Sequence, residues 1–357
     1  MKKINRRFYI ALFFLSPVIY YFIHGFDSDE VVSLDKSQEL KLYISSVKEK
    51  NSPIEIEKKF GRDLSSLKIS NVDFSNLDFS GIDLSNSEFT NVQFNGSKLF
   101  KTNISGVKCI KCDFTNALVG ESNFEASKFE DCNLKNMSVS ISNFRYSSFE
   151  NSDFTNVIFK DNDFKKSEIT DSNFLRADLE NSDFSYVIFK SNNFKETSLQ
   201  RSRFYQAKAT GSSFAGANLS EAYFESTDLS HVDFSGAFLH KANLSFSKLD
   251  HTVFSNARLD EANLSYAYGA DAAFNEAIMI GSDLNSVIMK NSDFTSANLE
   301  GADFSSSKFE NCKMIQANMH HAKLVGANLK TSDLKDADLS GAIVINAQLP
   351  NKETRSK

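Results

Sequence analysis

Large apolar residues recur at every fifth position over most of the chain. Steps of five from Leu64 to Leu349 give 58 positions, and 55 of them are Phe, Leu, Ile, Val or Met. The three exceptions are Cys109, Ala209 and Gly269. A period of five matches neither the 3.6-residue period of an α-helix nor the two-residue period of a simple strand. The pattern therefore predicts a backbone that turns a corner every five residues.

A smaller residue stands two positions before each large one. Of these 58 sites, 51 are Ala, Ser, Thr, Val, Cys or Gly, whereas the other three positions of each unit are mostly polar. The unit from Ala217 to Glu221 shows the arrangement as Ala-Asn-Leu-Ser-Glu. Two side chains of every five are thus predicted to point inward. Only a small one fits beside the large one at the packing density of a protein interior.

The large residues also repeat with a period of 20. When they are sorted by position modulo 20, one column is mostly Phe from Phe74 to Phe294, and another is Leu or Met from Leu179 to Leu339. A column keeps one type of residue only if residues 20 apart are stacked neighbours. Four units of five therefore form one four-sided coil. The units predict about 14 coils, or a rod of roughly 70 Å at ~4.8 Å per coil.

These units resemble the A(D/N)LXX repeats of the pentapeptide-repeat family, and the resemblance covers residues 62–349. Phe replaces Leu at many central sites and Ser replaces Ala at many small ones. The resemblance implies an all-β fold, a right-handed quadrilateral β-helix. The handedness is implied by the resemblance alone.

The residues before the repeat divide into three segments. Residues 1–7 are basic, residues 8–26 are apolar, and residues 27–61 are interpreted as a linker with a capping helix. An apolar stretch of this length is close to what a helix needs to cross a bilayer, and the basic residues before it predict that this end stays in the cytoplasm. We therefore predict an N-terminal transmembrane signal anchor. A cleaved signal peptide and a soluble protein are the alternatives.

Both ends of the predicted solenoid need cover, because an open coil presents unpaired backbone groups. Apolar residues at helical spacing predict a capping helix within residues 34–50, with Ser33 or Asp35 as its N-cap. At the other end, Pro350 is expected to stop the strand, and residues 350–357 form a polar tail. The helix signal consists of Leu40, Tyr43, Ile44 and Val47, and the residues expected to cover the first coil are Ile54, Ile56 and Phe60.

The repeat predicts no enzyme, no cofactor site and no metal site. Asp and Asn recur as turn residues whose side chains bond the local backbone. The chain has no Gly-x-Ser-x-Gly, P-loop or dinucleotide-binding motif. The polar residues therefore have a structural explanation that needs no catalysis.

Two clusters of stacked residues allow a second interpretation. The four cysteines stand at inward positions and are interpreted as buried thiols, although Cys112 and Cys132 are 20 residues apart and could form a disulfide. His231 and His251 are also 20 apart, with Asp271 next in the same column. We interpret them as exposed turn residues, and a shared metal ion is the alternative.

Exposed aromatic residues are the most informative outward feature. They fall on one side of the predicted solenoid and its following corner, over about 34 Å at ~4.8 Å per coil. Such residues rimmed by polar groups are typical of partner surfaces, and the alternative is stacking that only stiffens the sheet. We name this set the aromatic stripe and predict that it binds a partner. Its members are Tyr146, Tyr186, Ile188, Tyr205, Tyr223, Phe246, Tyr266, Tyr268 and Ile288.

Together these features predict a non-enzymatic, membrane-anchored β-solenoid that acts as a protein-interaction scaffold on the far side of the membrane, in the periplasm or outside the cell. The partner is predicted to be a protein or an envelope polymer, and neither a nucleic acid nor a small molecule. One alternative is a DNA mimic that binds a type II topoisomerase. The resemblance to the pentapeptide-repeat family implies this alternative, because some of its members act in that way. Residues 63–357 hold 38 acids and 29 bases, far below the charge density of duplex DNA. A bacterial effector delivered to host membranes is another alternative.

Overall fold

The computed structural model describes residues 34–49 and 55–351. The predicted basic segment (1–7), the predicted anchor (8–26) and residues 352–357 of the tail lie outside these residues. Within the described ranges, no helix is long and apolar enough to cross a membrane.

The repeat region winds as one continuous parallel solenoid. Backbone bridges join residues that are 20 apart, and one column of bridges runs from Asp63 to Asp83 and onward in the same step to Ile343. Backbone amides donate to the neighbouring coil, as from Phe74 N–H to the Gln93 carbonyl at 2.7 Å. The 20-residue coil predicted from the columns is confirmed.

Three-residue strands form on two opposite sides of the solenoid. In most of them the outer two residues are wholly or partly exposed and the middle one is buried. The strands are β1 (Lys68–Ser70), β2 (Glu88–Thr90), β3 (Lys98–Phe100), β4 (Lys108–Ile110), β5 (Leu118–Gly120), β6 (Lys128–Glu130), β7 (Ser138–Ser140), β8 (Ser148–Glu150), β9 (Ile158–Lys160), β10 (Glu168–Thr170), β11 (Ile188–Lys190), β12 (Tyr268–Ala270), β13 (Ile288–Lys290) and β14 (Lys308–Glu310).

The strands group into three parallel sheets. One side carries the sheet β1-β2-β4-β6-β8-β10-β11 and, further along the rod, the sheet β12-β13-β14. The side half a coil away carries the sheet β3-β5-β7-β9. The register pairs residues 20 apart throughout, as in Ile69 with Phe89. The other two sides are held by single bridges between coils.

Each corner is made by the last residue of a unit of five, which has a left-handed backbone conformation. Asn71, Asn91 and Gly81 have φ of 56°, 52° and 71°. Gly and Asn adopt this conformation more readily than other residues, which explains their frequency at corners. The corner predicted every five residues is therefore confirmed.

Stacked aromatic rings fill the core. The ring centroids of Phe154 and Phe174 lie 4.2 Å apart with nearly parallel planes, and one coil stacks on the next in the same way along the Phe column. The small inward residues are buried as well. The Ser122 hydroxyl donates to the Leu99 carbonyl at 2.6 Å, so at this site a Ser replaces an Ala without leaving an unpaired polar group. The buried hydroxyls of Ser97, Ser167 and Ser282, in contrast, have no partner among the described residues. Burial of each Phe side chain contributes about 1.5–3 kcal/mol.

Helix α1 (Lys36–Glu49) starts at a reciprocal cap. The Asp35 side chain accepts the Gln38 N–H at 2.8 Å, and the Gln38 side chain accepts the Asp35 N–H at 3.4 Å. This is the capping-box arrangement, with a carboxylate at the N-cap and an amide three residues later. Asp35 is therefore the N-cap, and Ser33 lies outside the described residues.

The two helices cover the first coil. Leu40 and Ile44 of α1 are buried, and so is Ile56 of α2 (Ile56–Phe60). The Ser37 hydroxyl accepts the Lys68 N–H at 3.0 Å, which satisfies the exposed edge of β1. The predicted cover is confirmed for these residues. The other residues predicted for the helix and the cover are Tyr43, Val47 and Phe60, which are half-buried, and Ile54, which lies outside the described residues.

Apolar side chains of the last described coil are exposed to solvent. Val344 stands at an inward position, yet it is 45 % exposed, and Ile343 and Ile345 beside it are also exposed. The final bridge joins Asn328 to Gln348. Pro350 follows it, as predicted for the stop of the strand.

Candidate partner-binding surface

Four members of the aromatic stripe stand at corners of the solenoid. Tyr146, Tyr186, Phe246 and Tyr266 occupy equivalent corners of different coils, with φ between 57° and 63°. Their side chains are 44 to 52 % exposed. The corner geometry points these side chains away from the core.

Three further members begin strands on the adjoining side. Ile188, Tyr268 and Ile288 are the first residues of β11, β12 and β13, and all three are exposed. Tyr268 and Ile288 are direct register partners in neighbouring strands. The predicted surface is therefore continuous from a corner onto a flat sheet.

The remaining two members lie on the side that precedes the corner. Tyr205 is half-buried, and its ring meets that of Tyr186 edge to face at 5.6 Å. Tyr223 is exposed and makes no ring contact with a described residue. The stripe thus has two groups with Tyr223 between them. We name Tyr146, Tyr186, Ile188 and Tyr205 the first group, and Phe246, Tyr266, Tyr268 and Ile288 the second group.

Some ring faces of the stripe already contact another ring or a cation. Phe246 and Tyr266 stack in parallel at 4.9 Å between centroids. The Arg145 guanidinium and the Lys166 ammonium lie 5.8 and 5.4 Å from the centre of the Tyr146 ring. The stacking that was the alternative explanation is therefore present between these coils. The ring edges and hydroxyl groups still face outward, and they are what a partner would contact.

Gly269 allows an unusually close approach of two coils inside the second group. A Cβ placed on it would lie 2.6 Å from the carbonyl carbon of Leu249. The Asp250 carboxylate accepts the Ala270 N–H at 2.8 Å. Gly269 is one of the three exceptions to the pattern of large residues, and the backbone of the neighbouring coil lies in the space that a side chain would take.

One ion pair links two coils beside the stripe. Lys165 Nζ lies 2.9 Å from Asp183 Oδ2 and 3.5 Å from Asp163 Oδ2. Burial raises the pKa of Asp183, but hydrogen bonds from Ser185 and Lys165 outweigh this effect and bring it below its ordinary value. The same hydrogen bond raises the pKa of Lys165. Both groups stay charged over the physiological range.

In the described part of the chain, the cysteine and histidine clusters are not arranged as metal-binding sites. The four cysteines are buried and free, and burial raises the pKa of the Cys312 thiol to about 11. His231 and His251 are exposed and their rings stack at 4.7 Å. Among residues 34–49 and 55–351, no three side chains are arranged to bind a metal ion.

A second apolar patch was missed from the sequence. It lies on the sheet β3-β5-β7-β9, on another side of the solenoid. The Phe100 ring lies over Gly120, where a Cβ would be 2.9 Å from its edge. Sorting outward Leu, Ile and Phe by column, as for Tyr, would find this patch. Its exposed members are Phe100, Leu118, Ile141 and Ile158.

Two models of the same repeat match the chain. The pentapeptide repeat region model matches residues 177–254. The model for pentapeptide repeats in eight copies matches five stretches, which are 68–106, 122–161, 142–174, 270–305 and 292–330. Together they cover more than half of the chain, and all the matches lie within the solenoid.

Solved structures include several pentapeptide-repeat proteins similar to this chain. HetL, involved in heterocyst differentiation in the cyanobacterium Nostoc, is 18% identical, with 81% of this chain and 92% of HetL covered and a TM-score of 0.19. QnrB1, a plasmid-mediated fluoroquinolone resistance protein, is 18% identical, with 57% and 90% covered and a TM-score of 0.30. A protein of the Arabidopsis thaliana thylakoid lumen is 30% identical, with 31% and 66% covered and a TM-score of 0.14.

None of the curated proteins compared with the chain is significantly similar to it. The matches to the repeat models agree with the 20-residue coil and the corner every five residues. The chain therefore belongs to the pentapeptide-repeat family, and its repeat region is an all-β, right-handed solenoid.

Proposed function

We propose that this protein is a non-enzymatic scaffold that binds a protein partner through the aromatic stripe. The observation that carries the proposal is the placement of the stripe. Eight of its nine residues are exposed, and all nine lie along one corner of the rod and the two sides that meet there. Aromatic side chains are enriched at protein interfaces. A surface that is rigid before binding loses little conformational entropy when it binds.

The use of polar residues supports a role without catalysis. Asp and Asn at the second position of a unit accept a backbone N–H two residues on, as Asp113 does from Thr115 at 2.9 Å and Asp303 does from Ser305 at 2.9 Å. Many of these carboxylates also pair with Lys of the neighbouring coil. Such groups hold turns together and are not free for acid–base chemistry.

We extend the proposal to location. Residues 8–26 would anchor the solenoid in a membrane, with the basic residues 1–7 in the cytoplasm and the rod on the far side. The support is the sequence alone, namely the length of the apolar stretch and the charges before it. The partner would then be a protein of the periplasm or the cell exterior.

A DNA mimic that binds a type II topoisomerase is less well supported. Mimicry of DNA needs a dense array of uncompensated negative charge. Here many acids are neutralised by a cation of the neighbouring coil, as in the pairs Asp178–Lys160 at 2.8 Å and Asp153–Lys135 at 2.9 Å. The aromatic stripe also has no place in such a mimic.

The test replaces the four corner aromatics by Asn in the full-length chain. Tyr146, Tyr186, Phe246 and Tyr266 stand where other coils carry Asn, so Asn fits the left-handed corner without strain. We expect an unchanged β-rich circular dichroism spectrum and at least a tenfold loss of the partner recovered from solubilised membranes. Ile141→Asn, an exposed apolar corner residue on another side, is the matched control and should recover the partner normally. Normal recovery by the fourfold variant would show that the stripe is structural.

A further inference from the structure

We propose that the first group of the aromatic stripe binds an acidic polypeptide segment of the partner. The inference rests on the proposed function and specifies the chemistry of the partner at that site. It starts from the charges around Tyr146, Tyr186, Ile188 and Tyr205. Those charges include cations that lie close together on neighbouring coils.

Five cations surround the first group without forming an ion pair to any described residue. Elsewhere many Lys side chains are neutralised by an acid of their own or the next coil, as in Lys160–Asp178 and Lys323–Asp303. Two unpaired acids, Glu150 and Glu168, lie among these cations, and Glu225 and Asp228 of the next coil border them. The unpaired cations are Arg145, Lys166, Lys190, Arg203 and Lys208.

These cations flank the Tyr186–Tyr205 ring pair on both sides. Arg203 is two residues before Tyr205 on the same coil. On the other side, Lys208 is bridged to Ile188, and Lys190 ends the same strand, β11. An extended segment lying across the coils would therefore meet a positive group at each edge of the aromatic pair. Positive potential of this kind attracts carboxylates and orients their approach.

The cations beside the rings favour carboxylates over bases or sugars. Single-stranded nucleic acids bind by stacking bases on open aromatic faces. Tyr146 already carries two cations near its ring, and Tyr186 meets Tyr205 edge to face. The hydroxyl, ammonium and guanidinium groups of this surface are hydrogen-bond donors suited to carboxylates. Arg145 Nε is also buried with no hydrogen-bond partner, which leaves a donor unused.

A hollow next to the first group offers room for one such carboxylate. Its volume is about 450 Å³. The Arg201 side chain in it is held by Glu180 and by Asn181, whereas the Arg203 guanidinium has no side-chain partner. An entering carboxylate would pair with Arg203, beside Glu221 and the Asp183 carboxylate that Lys165 already neutralises. The hollow is lined by Asn181, Asp183, Arg201, Arg203, Glu221 and Tyr223.

The second group of the stripe lacks these free cations. Lys248 pairs with Asp250 at 3.2 Å, and Lys290 and Lys308 both pair with Glu310. Phe246, Tyr266, Tyr268 and Ile288 therefore form an apolar surface with balanced charge. A partner that fits the whole stripe carries an acidic segment next to an apolar one, in that order along the rod.

The test measures fluorescence anisotropy of fluorescein-labelled poly-L-glutamate with the full-length protein at low salt. We expect binding that weakens at least tenfold in the triple variant Lys190→Ser, Arg203→Ser, Lys208→Ser. The control Lys98→Ser, Lys195→Ser, Lys330→Ser removes the same charge from exposed, unpaired cations elsewhere and should change affinity less than twofold. Labelled single-stranded oligothymidine should bind more weakly than poly-L-glutamate.

Three results would overturn the inference. They are no binding of poly-L-glutamate, equal weakening in both triple variants, or tighter binding of oligothymidine. If poly-L-glutamate fails while the fourfold Asn variant still loses its partner, the acidic-segment inference is wrong and the scaffold proposal stands. If poly-L-glutamate binds as expected and the fourfold variant keeps its partner, the scaffold proposal fails on its own.

Discussion

Residues at the corners adopt a left-handed backbone conformation, which costs conformational energy for most residue types. A left-handed conformation costs a residue with a Cβ roughly 1–2 kcal/mol, which Gly avoids and Asn reduces. Asn71 and Asn91 stand at such corners, whereas Tyr186 and Tyr266 accept the same conformation with φ of 63° and 58°. The backbone conformation alone does not favour an aromatic residue there over Asn, which is consistent with the binding role proposed for the stripe.

Gly269 gives a prediction about a single missing side chain. Gly269→Ala places a Cβ against the backbone of Leu249, which cannot move aside without shifting a coil. We expect a loss of about 1–3 kcal/mol in the free energy of unfolding, measured by denaturant titration. Gly120→Ala is the control, because the atom in its way belongs to the exposed Phe100 ring, and it should cost less than half as much. Equal losses would mean that the coils adjust freely at Gly269.

At the scale of a coil, hydrogen bonds and ion pairs between neighbours act together. The backbone ladder is uniform, but ion pairs such as Lys165–Asp183 are local. Because the pKa of Asp183 is below its ordinary value in the folded state, the pair stabilises the fold above that ordinary value. The contribution disappears as the pH falls through the folded pKa.

Lys165→Met tests this pH dependence. Part-exposed pairs of this kind contribute about 0.5–1 kcal/mol, so the variant should be less stable by that amount at pH 7. The difference should persist to about pH 5 and shrink below pH 4, where Asp183 begins to take up a proton. Thermal unfolding of both proteins across this range is the measurement. A difference that grows in acid would contradict the direction of the Asp183 shift.

Much of the element arrangement follows from the sequence pattern. The period of five predicts the corners and the inward residues, and the period of 20 predicts the stacking of Phe154 on Phe174. The N-cap was left open between Ser33 and Asp35, although Gln38 three residues after Asp35 is the signal that favours Asp35. Which sides carry strands does not follow, because the same unit repeats on all four sides and small differences in twist decide the pairing.

The candidate site was only partly predictable. The column of each outward Tyr follows from its number, so the stripe itself was predicted. The pairing of Lys165 with Asp183 was not, because long flexible side chains choose among several neighbours at equal spacing. The free cations around Tyr186 and Tyr205 emerge only after such pairings are known.

At the scale of the whole molecule, the rod presents different surfaces on different sides. The stripe follows one corner, the Phe100 patch lies on another side, and paired charges cover much of the remainder. A rigid solenoid keeps these surfaces at fixed positions, since each coil is bonded to the next. A partner that binds the stripe is therefore expected to contact one corner and the two sides that meet there.

Photocrosslinking from the four corners of one coil tests directly whether a partner binds at the corner that carries the aromatic stripe. A benzophenone amino acid replaces Tyr186, Ser191, Glu196 or Arg201 in turn, in the full-length protein in intact cells. These corner residues have φ of 63°, 55°, 57° and 55°, so the four positions share one backbone geometry and differ only in direction. We predict a strong partner adduct from position 186 and at most weak adducts from positions 191 and 196. Equal adducts from all four corners, or none from position 186, would contradict a partner-binding stripe.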